Sequence, residues 1–299
     1  MSTNLSIVIL AAGKGSRMKS SKAKVLHPIC GREMLYYSIK AAKAITDDII
    51  VVVAHQKESV IASMQSYFDN ITFVTQDAEN FPGTGGAMKS VQPRYENVLV
   101  LNGDMPLITQ SSIEKFLASS SDVVMSVIPL DDPSGYGRVV IENNQVVKIV
   151  EEKDASEEEK MIQTVNAGVY AFKHHVLQKY IPQLSNNNAQ GEYYLTDIIE
   201  FARRDNLAIT PLVVTEEEFK GVNSKYDLSH AETIMMDRIR MHWMNQGVSM
   251  QLPETIYIEE GVSITGESHI ENGVRLCGTT RIENSIIKAH SVIEDSIVI

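Results

Sequence analysis

Short apolar runs, mostly β-branched, punctuate residues 5 to about 130: Ile7–Leu10, Ile49–Val53, Ile71–Val74, Val98–Leu101 and Val123–Ile128. Continuous runs of this length predict strands buried on both faces, as in a parallel sheet. Between them the spacing turns helical. Met34, Ser38, Ala41, Ala42 and Ile45 recur at helical intervals, and Val60, Ile61 and Met64 repeat the pattern on a shorter scale. Strand and helix in alternation predict an α/β doubly wound sheet. From about residue 138 the texture changes. Arg138–Ile141 and Val146–Val150 flank the polar stretch Glu142 to Gln145 and predict a hairpin. Val165–Phe172 predicts a further strand, and residues 175–181 and 193–204 predict helices. This region reads as an insertion that covers one side of the carboxyl edge of the sheet.

Residues 228–246 predict one amphipathic helix, with Leu228, Ala231, Met235, Ile239 and His242 on one stripe and Gly247 as its stop. The tail repeats with period six. Ile258, Ile264, Ile270, Leu276 and Ile282 keep that spacing, the phase slips by one, and Ile287, Ile293 and Ile299 continue it. A second file runs through Val262, Val274, Ile286, Val292 and Val298. Hexapeptide periodicity predicts a parallel β-helix whose coil stacks apolar residues from successive turns. An antiparallel β region with chance spacing is the alternative. Ile299 is expected to point inward with no capping segment after it, so the coil is expected to be either part of something longer or a natural short form.

The chain has 299 residues, 43% hydrophobic and 22% charged, which fits about two globular domains. Lys+Arg minus Asp+Glu is 27 − 38 = −11. Such an acidic surface argues against a general nucleic-acid or membrane binder, yet it leaves room for a local basic pocket. Two distant cysteines, Cys30 and Cys277, predict neither a disulfide framework nor a Cys-based zinc site. The first apolar run, Ile7 to Ala12, is too short to span a bilayer and lacks a basic lead-in. No signal peptide, no membrane span and a cytoplasmic location are expected.

Two segments carry chemistry. Leu10-Ala11-Ala12-Gly13-Lys14-Gly15-Ser16-Arg17-Met18, with Lys24 beyond it, lies where the first strand should hand over to a helix. Small residues let backbone N–H groups approach a phosphate, a helix N-terminus would add partial positive charge, and Arg17 and Lys24 supply cations. A tight turn is the plainer reading of the glycines alone. The glycine spacing is neither a Walker loop nor the Rossmann fingerprint. Asn102-Gly103-Asp104 ends another strand at the edge where open α/β sheets bind ligands. A carboxylate there suits Mg²⁺, although Asp104 also suits a turn or a helix cap.

These two motifs, in this order, resemble the sugar-1-phosphate nucleotidyltransferase superfamily. Val25-Leu26-His27-Pro28, Asp132-Pro133-Ser134-Gly135-Tyr136-Gly137-Arg138, Ile149 to Ala155, and above all Asn187-Asn188-Ala189-Gln190-Gly191-Glu192-Tyr193-Tyr194-Leu195-Thr196-Asp197 narrow the resemblance. With the hexapeptide tail they resemble the bacterial GlmU family, bifunctional N-acetylglucosamine-1-phosphate uridyltransferases and glucosamine-1-phosphate acetyltransferases. The resemblance covers essentially the whole chain. It implies a Rossmann-like nucleotidyltransferase domain with a mixed, mostly parallel sheet over 1–227, a linker helix over 228–250, and a short left-handed parallel β-helix over 251–299. The implied reaction joins UTP and N-acetylglucosamine 1-phosphate into UDP-N-acetylglucosamine and pyrophosphate, with Mg²⁺, for cell-wall peptidoglycan synthesis. By position in the family, Leu10, Ala11, Ala12, Gly13, Gln76, Gly83 and Thr84 hold the uridine. Asn102, Gly103 and Asp104 line the nucleotide and metal, and Gly137, Glu151 and Asn166 hold the amino sugar. Asp104 and Asn223 ligate Mg²⁺, and Arg17 and Lys24 are the catalytic cations. A homotrimer through the coil is the implied assembly. Taken alone, Gln76 also reads as a polar strand end, Glu151 as part of a solvated acidic run, and Asn223 as a turn residue after Gly221.

The chain departs from the family pattern in places. Ser16 stands for Thr, Gly86 for His, and Asn102 for an aromatic or small residue. The stretch between Gln76 and Gly83 is two residues longer than is usual and contains Pro82. The family's acetyltransferase residues lie in later coils, so acetyl transfer is not expected of these residues. The competing expectations are a nucleotidyltransferase for another nucleotide and sugar phosphate, and a non-catalytic scaffold built on the same domain.

Overall fold

The computed structural model describes residues 4–299 apart from 135, 151, 153, 154 and 189. It divides into two compact units. The first comprises Met1–Ser16, Ser20–Val25 and Leu35–Gly221, and the second comprises Arg17–Lys19, Leu26–Met34 and Val222–Ile299.

The first unit is built on one nine-stranded sheet. Its strands are β1 (Leu5–Leu10), β2 (Ile49–Val53), β3 (Thr72–Thr75), β4 (Asn97–Asn102), β5 (Val123–Pro129), β6 (Arg138–Glu142), β7 (Gln145–Val150), β8 (Thr164–Lys173) and β9 (Ile209–Val213). The main order is β9-β5-β8-β4-β1-β2-β3, with β6 pairing β8 and β7. Every residue of β2 is buried, as are the first five of β1. That is the signature of strands covered on both faces, and it is why their apolar runs do not alternate. Helices α1 (Met34–Lys43) and α2 (Lys57–Gln65) turn Leu35, Ile39, Ala42, Val60 and Met64 inward.

The region after 138 is more than a cover. Its hairpin β6–β7 joins the sheet, and β8 lies in the middle, antiparallel to β4 on one side and β5 on the other. A buried strand has the same apolar pattern in either direction, so the pattern did not reveal this central place. The segment 193–204 is likewise only partly helical: its helix spans Asp197–Arg204.

In the second unit a 21-residue helix, Lys225–Asn245, opens on a capping box between Ser224 and Asp227. This arrangement satisfies backbone donors that a helix start leaves orphaned. Gly247 ends it with φ of 94°. Ala231, Met235 and Ile239 are buried as expected, but His242 is exposed. Arg240 is buried instead, and its Nη1 donates to the carbonyls of Pro253 (2.9 Å) and Ile256 (3.1 Å). Three bonded carbonyl and carboxylate groups, Asp237 included, make an interior guanidinium tolerable there.

The tail forms three parallel sheets of three short strands each, which is the construction of a β-helix. The first rung is Ser249–Met250. Ile264 pairs with Ile282, Ile270 with Ile287, Leu276 with Ile293, and Ile282 with Val298. The inward file therefore slips twice, and its last member is Val298 rather than Ile299, which is 85% exposed. Each fully buried Ile or Leu contributes about 1.5–3 kcal/mol. A slip carried through the strands would lose that for every later rung, so the turns absorb it, with Asn284 and Asp295 both at φ of 47°. The second file splits for the same reason. Val262 and Val274 sit two positions before an inward residue and are buried, whereas Ile286 and Val292 sit one position before and face out.

Cys30 and Cys277 carry free thiols. Burial, and then the charges of Glu232, Glu260 and Glu259, push the Cys30 thiol well above its ordinary range. A thiol held protonated and buried is unreactive. A thiol reagent added to the native chain at neutral pH is expected to leave Cys30 unmodified, and denaturation is expected to release it. Prompt labelling of Cys30 in the native state would contradict this burial.

Candidate active site

The carboxyl ends of β1, β3 and β4 open into a cavity of about 550 Å³. Leu10, Ala11, Ala12, Gly13, Lys24, Gln76, Gly83, Thr84, Asn102 and Asp104, all singled out from the sequence, line it. Ala78, Pro82, Ala87, Val25 and Glu192 also line it and were not singled out, and Lys14, Gly15 and Ser16 do so from within the glycine segment. Glu192 was visible only as a letter in the long block from 187 to 197, whose role the sequence did not disclose.

The glycine segment is irregular backbone followed by a three-residue 3₁₀ turn, Ser16–Met18, and the first α-helix starts only at Met34. The expected helix N-terminus is therefore absent, and any phosphate recognition here falls to backbone N–H groups and side-chain cations. Gly15, at φ of 63°, is where glycine is needed: a Cβ there would lie 2.5 Å from Cβ of Lys24. Lys24 thus packs across the turn and its ammonium forms an ion pair with the Asp104 carboxylate, with side-chain exposures of 13% and 18%. Water is largely excluded from such a pair, so its field is screened less than that of a surface pair.

Gln76 is 9% exposed, and its Nε2 donates to the carbonyls of Phe81 (2.9 Å) and Gly83 (3.0 Å). The block after 187 supplies the wall behind this turn. Tyr193 N donates to Pro82 O (2.9 Å), Gly85 N to Tyr193 O (2.8 Å), and Leu195 N to the Thr84 hydroxyl (3.1 Å). That pairing is why Tyr193–Thr196 does not continue the helix.

Asn102 leads away from the cavity. Its Nδ2 donates to Gly168 O (3.1 Å), and Gly168 N donates to Asn166 Oδ1 (2.8 Å). Asn166 N in turn donates to Gly137 O (3.3 Å). Gly137 and Asn166 are thus brought together, although neither is among the cavity's lining residues. Next to Gly137, Arg138 is 2% exposed and pairs with Glu152 at 2.6 Å. Glu151 lies outside the described residues. Gly103 is buried beneath the cavity and donates from its N to Leu10 O (2.9 Å). Arg17 and Asn223 belong to the second unit, where Arg17 Nη2 donates to Asn223 Oδ1 (2.9 Å).

For a divalent ion, Asp104 has suitable surroundings. A Cβ on Gly221 would fall 3.2 and 3.3 Å from its two carboxylate oxygens, so glycine keeps the space beside that carboxylate clear. Among the described residues no cluster of three His, Cys, Asp or Glu exists. A single carboxylate suits a hard divalent ion that takes its remaining ligands from water and substrate phosphates, rather than a protein-caged metal. No described helix is long and apolar enough to cross a membrane.

A mostly parallel sheet with a glycine-lined turn, two lysines and an aspartate at its carboxyl edge defines a nucleotidyltransferase domain, and residues 7–175 match the family described as the MobA-like NTP transferase domain. Among solved structures, the inositol-1-phosphate CTP transferase from T. maritima has the same fold, with a TM-score of 0.61 at 15% identity over 78% of this chain and 97% of that one. The bifunctional protein GlmU of Sulfurimonas denitrificans is 66% identical over 294 residues, which are 98% of this chain and 68% of that protein. The GlmU protein of Wolinella succinogenes is 60% identical over 99% of this chain and 69% of its own length. The chain belongs to the GlmU family.

Proposed function

We propose that the chain transfers the uridylyl group of UTP to N-acetylglucosamine 1-phosphate, giving UDP-N-acetylglucosamine and pyrophosphate. A phosphate oxygen of the sugar phosphate attacks the α-phosphorus in line. The bond from that phosphorus to the bridging oxygen breaks, and pyrophosphate leaves with the electron pair. The observation that carries this reading is the half-buried Lys24–Asp104 pair beside a glycine turn in a cavity large enough for a nucleotide.

Nothing in this reaction requires a protein nucleophile. Two anionic reactants must be held together, so positioning and charge neutralisation do the work. Leu10 to Gly13 approach the nucleotide through backbone, and Gln76, Gly83 and Thr84 flank the base. Asn102 and Gly103 support the nucleotide, while Gly137, Glu151 and Asn166 take the amino sugar. Lys24 and Arg17 offset charge on the phosphates. Asp104 and Asn223 would hold Mg²⁺, which supplies further charge neutralisation between phosphates. Location in the cytoplasm, supply of cell-wall precursors and assembly as a trimer through the coil belong to the same reading.

Pyrophosphate release from a panel of nucleoside triphosphates, each with N-acetylglucosamine 1-phosphate, tests it. UTP is expected to be preferred, with turnover lost to a chelator and restored by Mg²⁺. Preference for another nucleotide would refute the assignment.

A further inference from the structure

The 77–82 stretch after Gln76 and the glycine at 86 are two parts of one arrangement. Phe81 N donates back to Asp77 O (2.8 Å), and the Asp77 carboxylate accepts Asn80 N (3.2 Å) and Nδ2 (2.8 Å), so the loop closes on itself. A Cβ on residue 86 would lie 2.0 Å from Phe81 O, so only glycine lets the loop lie down on the helix Gly83–Met88. The Phe81 and Gly83 carbonyls then take both N–H groups of the Gln76 amide. What remains of that amide for a ligand is Oε1, an acceptor. From behind, Lys89 Nζ sits 4.8 Å from the centre of the Phe81 ring and 4.7 Å from that of Tyr193. The two rings are 5.7 Å apart, so the ammonium bridges the loop and the 187–197 block. Lys89 is not among the residues lining the cavity.

We propose that Lys89 is a positioning residue for base selection: gripped between Phe81 and Tyr193, it fixes the 77–82 loop and so locks the Gln76 amide with its acceptor toward the base. A glutamine amide that can turn over offers either a donor or an acceptor and discriminates poorly. One whose N–H groups are committed offers only the acceptor. Uracil carries N–H at ring position 3 and pairs with it. Cytosine carries a lone pair there and is repelled, with its own acceptor left unpaired. The inference rests on the uridylyl-transfer reading and adds what enforces the choice of base.

The test is steady-state kinetics of the full chain and its Lys89→Met and Lys89→Arg variants, with UTP and with CTP. Loss of a partly desolvated cation–π contact corresponds to about a tenfold effect. Lys89→Met is therefore expected to raise KM for UTP and to narrow the UTP-over-CTP ratio in kcat/KM, each about tenfold. Its kcat and its KM for the sugar phosphate are expected to stay near those of the unaltered enzyme. Lys89→Arg, which stacks on the same rings, is expected to restore both quantities. Phe81→Leu, which removes one ring, is expected to narrow the ratio as Lys89→Met does and carries the test should that variant not fold. An unchanged UTP-over-CTP ratio in either variant overturns the proposal, even if stability falls. The unaltered enzyme's own preference, measured first, separates this outcome from failure of the uridylyl-transfer reading.

Discussion

Asp104→Ala is expected to lower turnover by on the order of 10²–10³-fold and to flatten its dependence on Mg²⁺, with the fold intact. Asp104 closes the carboxyl end of β4, where the strand's buried apolar residues hold the backbone in place without help from the carboxylate. The side chain is 18% exposed, and it engages the Lys24 ammonium on one side and faces the space that Gly221 leaves open on the other. Truncation removes the counter-charge that orients Lys24 and the only carboxylate proposed for the ion. In the proposed reaction both losses act where negative charge from the two substrates would converge, so kcat should suffer more than stability. Asp104→Asn separates shape from charge, since it keeps the outline and one acceptor oxygen. It should fall nearly as far as alanine if charge is what matters. Turnover by pyrophosphate release, a Mg²⁺ titration and a thermal melt measured together decide it. Near-normal turnover in either variant would remove Asp104 from the catalytic machinery.

What the sequence disclosed follows from how local each signal is. β1, β2 and β4 were legible because strands covered on both faces must be apolar throughout, and the glycine turn was legible because its residues are adjacent. Partners distant in sequence were not. That Lys24 reaches Asp104, and that Tyr193 pairs with the turn behind Gly83, depend on how the sheet is ordered. An aromatic and apolar stretch such as Tyr193–Leu195 fits a helix as well as a wall, and only its hydrogen-bond partners decide. In the coil, the spacing of six was readable for as long as it held. The second slip, near Asp295, alters only a turn, and it leaves Ile299 outside and Val298 inside. Arg240 escaped because a charged residue on a helix reads as solvated until the carbonyls that receive it are known. The departures at 77–82 and at Gly86 were each readable as oddities. Their dependence on one another appeared only when the Phe81 carbonyl was seen where a side chain at 86 would be.

Arg17→Ala is expected to reduce kcat by on the order of 10²-fold while raising KM for the sugar phosphate only severalfold. Arg17 is exposed, and its one described side-chain bond is to Asn223 Oδ1, so its loss should barely move the melting temperature. An effect on rate without a matching effect on binding marks an interaction that strengthens as the α-phosphorus becomes five-coordinate and charge grows on its oxygens. The planar guanidinium can span two of those oxygens, whereas lysine offers a single point of charge. Arg17→Lys should therefore recover only part of the rate. Asn223 makes the stricter test. If it serves to aim Arg17, the double variant should be hardly worse than Arg17→Ala alone. If it serves the metal independently, the two losses should multiply and the Mg²⁺ requirement should shift only when Asn223 is changed. Normal turnover in Arg17→Ala would remove Arg17 from the proposed catalytic cations, and charge neutralisation at the α-phosphorus would then fall to the cavity lysines, the metal and the backbone turn.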